Sequence, residues 1–125
     1  MKLRISIVIL TILTSSIAFA DENSTIKSLI KFRSAVENSV SYSKSTELYA
    51  DAKAEYEMSK KSSIDLFKAF CDFDVSMAAY GHYMRFCNGP MSGSEKCEYF
   101  LKMHLDNFTS GSEHLNNAIK SKRKK

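Results

Sequence analysis

From Asp21 to Tyr80 the chain runs sixty residues without a glycine or a proline. The stretch is rich in Ala, Lys, Glu, Ser and Leu, which favour or tolerate helix, and no breaker interrupts it. Alternating strand patterns bounded by turn residues are absent. Apart from Gly81 and Gly111, glycine and proline crowd into Asn88-Gly-Pro-Met-Ser-Gly93. The expected class is all-α, with one tight turn.

The first twenty residues follow different rules. Lys2 and Arg4 precede an apolar run from Ile5 to Ile17, and Ala18-Phe19-Ala20 places small residues before Asp21-Glu22. This is the basic, apolar and cleavage-site order of a secretory signal. The run is short for a membrane span, which needs about 20 residues. Residues 1–20 are therefore expected to be a signal cleaved near Ala20, with a retained N-terminal anchor as the alternative. The mature chain is expected to be secreted or periplasmic, a single helical domain over 21–119 followed by a mobile basic tail over 120–125.

Charge sharpens that division. Losing Lys2 and Arg4 from 18 basic residues leaves 16 against 14 acidic ones, a net charge of +2. Lys120, Lys122, Arg123, Lys124 and Lys125 hold five of those positives, so residues 21–119 carry 11 basic against 14 acidic residues. A mildly acidic body excludes a whole-protein nucleic-acid footprint. The tail is either a solubilising end or a charge-based holder of anionic lipid, lipopolysaccharide or another polyanion.

Within the body, Asn23, Ser24 or Thr25 can cap a first helix, whose apolar stripe reads Ile26, Leu29, Arg33, Val36 and Val40, widened by Ile30. From Tyr42 a seven-residue repeat begins: Tyr42, Tyr49, Tyr56, Ser63, Phe70, Met77 and Met84, with companions Ser45, Ala52, Ser59, Leu66, Phe73, Tyr80 and Cys87. This is a coiled-coil-like seam, strongest from Leu66 to Cys87. A single helix across the whole repeat would be about 70 Å long, out of scale for so small a domain. Lys60-Lys61-Ser62-Ser63 before Asp65 instead predicts a stop and a new N-cap. After the turn, Ser92 and Glu95 form a capping-box pattern. Leu101, Phe108 and Leu115 then share one face with Cys97, His104, Gly111 and Ala118, and Ser110-Gly111-Ser112 is a potential bend. The predicted architecture is a small helical bundle built on a helical hairpin, residues 63 to about 119.

Cys87 and Cys97 flank the tight turn about one helical turn out on either side. In an exported protein this arrangement predicts a disulfide stapling the hairpin. Cys71 is left over, either a small buried hydrophobe or a free or intermolecular thiol. His82, Cys87, Cys97 and His104 match no zinc spacing. Met77, Met84, Met91 and Met103-His104 offer soft ligands for copper(I) or haem, though Met also fills core gaps. His82, His104 and His114 lie in no nucleophile-base motif, and Asp72 and Asp74 read as solvated charges on different faces. The tyrosines 42, 49 and 56 are either a docking face for another helix of this chain or an exposed strip for a partner. Asn23-Ser-Thr and Asn107-Phe-Thr are glycosylation sequons if the cell is eukaryotic.

These residues predict an exported helical protein that acts by binding, without catalysis or cofactor. Its expected partner is an envelope protein or a second copy, as an adaptor or accessory of an assembly such as a secretion or conjugation system. The alternatives are a polyanion or membrane-surface binder acting through residues 120–125, and a metal or haem carrier using Met and His.

Overall fold

The computed structural model describes residues 22–59, 63–87 and 93–123. Among them are four helices and no strand: α1 over 22–37, α2 Tyr42–Met58, α3 Ile64–Phe86 and α4 Glu95–Arg123. The expectations for the signal over 1–20, for Lys60 to Ser62, for Met91 and Ser92 and for Lys124 and Lys125 lie outside the described residues.

Local chemistry sets each boundary. Residues 22–25 are already helical and Thr25 is buried, so the expected cap within 23–25 is instead part of the helix body. α1 ends in a Schellman turn: the Val40 N–H reaches Ala35 O at 2.9 Å and the Ser39 N–H reaches Val36 O at 3.1 Å. Ser39 takes the left-handed conformation this turn requires, at φ 55°. The chain thus breaks between α1 and α2, within a run that has Ser at 39, 41, 43 and 45, and Ser41 restarts the helix by accepting the Lys44 N–H at 3.2 Å. α2 ends at Met58, and Ser63 caps α3 by accepting the Leu66 N–H at 3.1 Å, so the 42–87 repeat is two helices. Ser94 accepts the Cys97 N–H at 3.3 Å and caps α4, the role the Ser92–Glu95 spacing suggested for Ser92.

Successive helices run antiparallel. Between α1 and α2, Ser28 Oγ donates to Glu55 at 2.8 Å while Phe32 meets Tyr49. Tyr42 packs on Tyr80 and Tyr56 on Phe70, pairing α2 with α3 in opposite directions. Phe73 with Phe108 and Tyr80 with His104 do the same for α3 and α4. Lys122–Glu22 at 3.2 Å and Arg33–Asn116 at 2.7 Å close the circuit from α4 back to α1. The result is an up-down-up-down four-helix bundle.

Its core is aromatic. Phe32 and Phe73, both fully buried, lie 5.1 Å apart, and Phe32 also faces Tyr49 at 4.8 Å and Phe108 at 6.3 Å. Leu29, Leu66, Ala69, Phe70, Met77 and Leu115 fill the space around them. α4 is continuous through Ser110-Gly111-Ser112, so the expected bend is absent. Gly111 serves a close approach instead: a Cβ there would stand 2.7 Å from the Phe73 ring. Helix α4 also continues through Lys120, Lys122 and Arg123, so this part of the expected mobile tail is the last turn of a packed helix.

The two halves differ in length. α2 has 17 residues, whereas α3 has 23 and α4 has 29, about 26, 35 and 44 Å respectively. α2 begins against Tyr80 and Gly81. Beyond that level α3 and α4 continue as a two-helix tip, joined by the Cys87–Cys97 disulfide with its Cα atoms 5.7 Å apart. No helix among the described residues is long and apolar enough to cross a membrane.

Candidate functional site

Besides Phe67 on α3, the aromatic side chains most exposed among the described residues, Phe86 and Tyr99, lie at the tip. Cys87 caps the C-terminus of α3, its N–H on Tyr83 O at 2.9 Å, and Cys97 sits in the first turn of α4. The bridge and the Ser94 cap fix both helix ends. They thereby fix four rings that project from the seam: His82 stacks 5.1 Å from Phe100 and 6.2 Å from Phe86, and Tyr99 stands 5.7 Å from Phe100. Phe86 and Tyr99 are 49% and 59% exposed and border the same cleft, so they form a patch and not isolated exposed rings. Phe86, Tyr99, Phe100, Cys97, Ser94 and Lys96 line an open cleft of about 440 Å³. Its chemistry is apolar contact and ring stacking, with one ammonium at the rim, suited to holding an apolar side chain.

The residues singled out by the sequence fall elsewhere. Tyr49 is buried, and burial followed by its hydrogen bond to Asp74 at 2.5 Å pushes the phenol well above its ordinary range. The same hydroxyl lies 3.1 Å from Phe70 O. Tyr42 and Tyr56 are half-buried against the same core, so of the two readings of the tyrosine row the structure has the intramolecular one. An exposed partner strip is not formed, because all three rings are spent on α3.

Cys71 is an exposed free thiol on the outer face of α3, so the buried-hydrophobe reading fails. Lys120, Lys122 and Arg123 line the last turn of α4, where cations suit the negative helix end, and Lys122 is paired with Glu22.

Asp72 and Asp74 are not merely solvated. Asp74 takes the Tyr49 hydroxyl and Lys53 at 3.2 Å, tying α2 to α3. Asp72 accepts from Ser110 Oγ at 2.6 Å and lies 3.6 Å from His114 Nε2. This trio joins α3 to α4.

His104 is buried and holds α3 and α4 together. Its Nδ1 lies 2.8 Å from Ser76 Oγ and 3.1 Å from Ser76 O, and Ser76 Oγ donates to His104 O at 2.8 Å. Burial lowers its pKa, partly offset by the Ser76 backbone contact. His82 and His104 are thus put to different uses, and among the described residues no three His, Cys, Asp or Glu side chains gather to hold a metal ion.

The tip cluster was not visible as a motif. Phe86 falls outside the seven-residue seam, and Tyr99 and Phe100 are adjacent, so they cannot both face the core; those two irregularities were the available signal. Comparison with protein-family models, with curated proteins and with solved structures finds no match.

Proposed function

We propose that this is an exported helical binding protein that docks a partner protein of the cell envelope through its disulfide-tied tip. The observation that carries the reading is the aromatic cluster at the tip: exposed Phe86 and Tyr99 and half-buried Phe100 line an apolar cleft, and His82 stacks on Phe100. Rigid aromatic side chains lose little conformational freedom on binding and dominate the energetics of protein interfaces. Support for export comes from the N-terminal sequence and from the Cys87–Cys97 bridge, since such bonds persist in oxidising compartments. In this reading the body is a stand, and function lies where two helices outreach the other two.

Site-specific photocrosslinking tests it. With a benzoylphenylalanine in place of Tyr99, irradiated cells are expected to yield an adduct with a distinct envelope protein. The same group in place of Asn117, exposed on α4, is the control. An equal pattern from both positions, or none from either, overturns the tip as the docking site.

A further inference from the structure

α3 should be half apolar, and it is apolar nearly all round. Its inner face supplies Leu66, Phe70, Phe73 and Met77 to the core. Its outer face carries Ile64, Phe67, Cys71, Val75 and Ala78, at steps of three and four residues, the spacing of a single helical stripe. Ile64 is 65% exposed, Phe67 50% and Val75 43%, and Cys71 and Ala78 are exposed too. The outward residues of the neighbouring helices are mostly charged, Lys44, Glu47 and Asp51 on α2 and Glu98, Lys102, Asp106 and Glu113 on α4, with Met58, Tyr99 and Leu105 as exposed exceptions. An exposed apolar stripe between charged flanks is a candidate contact surface.

We propose that the stripe is covered by a second copy of this chain, packed α3 against α3 in antiparallel orientation about a two-fold axis at Cys71, with the two Cys71 thiols joined as a disulfide. This is independent of the partner assigned to the tip.

Three features select this occupant. The first is register. Antiparallel pairing about Cys71 sets Phe67 level with Val75 of the other copy and Ile64 level with its Ala78, so apolar residues meet apolar residues. The second is distance. Helices packed about 8–10 Å apart, each with Cα atoms about 2.3 Å from its axis, bring facing Cα atoms to about 3.4–5.4 Å. The wider part of that range is a separation that a disulfide spans. The third is area. The stripe offers a few hundred Å², patch size enough to mark an interaction surface, but short of the roughly 800 Å² per partner of a stable complex. A dimer of this size needs a covalent tie, and the odd cysteine sits in the middle of the stripe.

The bond forms by exchange with a protein or small-molecule disulfide of the oxidising compartment. One Cys71 thiolate attacks a sulfur of that disulfide, giving a mixed disulfide and one released thiol. The second copy's Cys71 thiolate then attacks the Cys71 sulfur and releases the other thiol. Two thiols are oxidised by two electrons, the oxidant is reduced to its dithiol, and the two thiol protons pass to the released thiolates.

The full chain, produced in an exporting bacterium and alkylated on lysis, tests the proposal. Non-reducing electrophoresis is expected to show a species of twice the monomer mass that collapses on reduction, and peptide mapping is expected to join Cys71 to Cys71. Phe67→Glu and Val75→Glu, each with all three cysteines intact, are expected to lower the dimer fraction at least tenfold while the helical circular dichroism is unchanged. Their sites are exposed, so the monomer tolerates them. A monomer with Cys71 alkylated, Cys71 bridged to a different protein, or a dimer undiminished by either glutamate overturns it. The Tyr99 crosslink is read separately, so each idea can fail alone.

Discussion

In the body of the bundle Phe32 touches rings from each of the other three helices, Tyr49, Phe73 and Phe108, and no part of it reaches water. At the tip Phe86 and Tyr99 keep about half their surface wet, and two helices are joined by a sulfur bridge. The body is held by burial, which is strong because it is shared by four helices. The tip has too few neighbours to bury its rings, so a covalent link does there what packing does below. Its rings pack on one another and keep one side in water.

The sharpest break of that comparison is Phe32→Ala. Deleting a fully buried aromatic side chain costs about 3–5 kcal/mol, a large share of the stability of so small a domain. Urea unfolding should show the loss as a single transition in which body and tip fail together. A variant losing under 1 kcal/mol would mean that Phe32 is not the hub.

Removing the bridge probes the other end. For cysteines ten residues apart, the chain-entropy estimate is about 2–3 kcal/mol for the double variant Cys87→Ala/Cys97→Ala. The loss should be local in onset. Hydrogen exchange is expected to speed first at amides of residues 82–87 and 95–103, while amides around Leu29 and Phe32 keep their protection. Uniform loss of protection would erase the distinction between the two regions.

How much of this could be read in the chain divides along the same line. The seam from Leu66 to Met77 and the α4 face of Cys97, His104, Gly111, Leu115 and Ala118 were legible, because their periodicity survives in the fold. So was the pairing of Cys87 with Cys97. The α1 stripe was legible in part: Ile26 and Leu29 are buried and Val36 packs against the core, but the stripe passed over Phe32 and Ala35 in favour of Ile30 and Val40. In the structure Ile30 and Val40 are 38% exposed, Val40 lying past the helix end, while Phe32 and Ala35 are buried. Aliphatic residues on both sides of a short helix leave its inner face undecided until other helices choose it. The tip was illegible because its rings come from two helices and converge only when the hairpin closes.

His104 sits where body passes into tip, stacked on Tyr80 at 4.4 Å and bonded to Ser76. Burial holds its folded pKa below the unfolded value of about 6.5. Below that pH the unfolded chain binds a proton that the folded chain refuses. This contribution is therefore complete above about pH 6.5 and is lost as pH falls toward the folded pKa, by at most about 1.4 kcal/mol per pH unit. Comparing urea midpoints at pH 7.5 and 5.5 should show the drop in the wild type and a smaller one in His104→Gln. Equal drops would assign the acid sensitivity to other groups.

The smallest expected effect sharpens the contrast by strengthening the body alone. Ser39 closes the α1 Schellman turn at φ 55°, a conformation that a side chain disfavours by about 1–2 kcal/mol. Glycine adopts it freely but gives back about 0.5–1 kcal/mol through its more flexible unfolded state. Ser39→Gly should therefore stabilise by about 0.5–1 kcal/mol, seen as a higher urea midpoint with an unchanged slope. Because the turn joins only α1 to α2, exchange at the tip amides under native conditions should not slow. If those amides slow in step with the body, the tip opens only by global unfolding, and the disulfide is tying down an end that the four-helix core already holds.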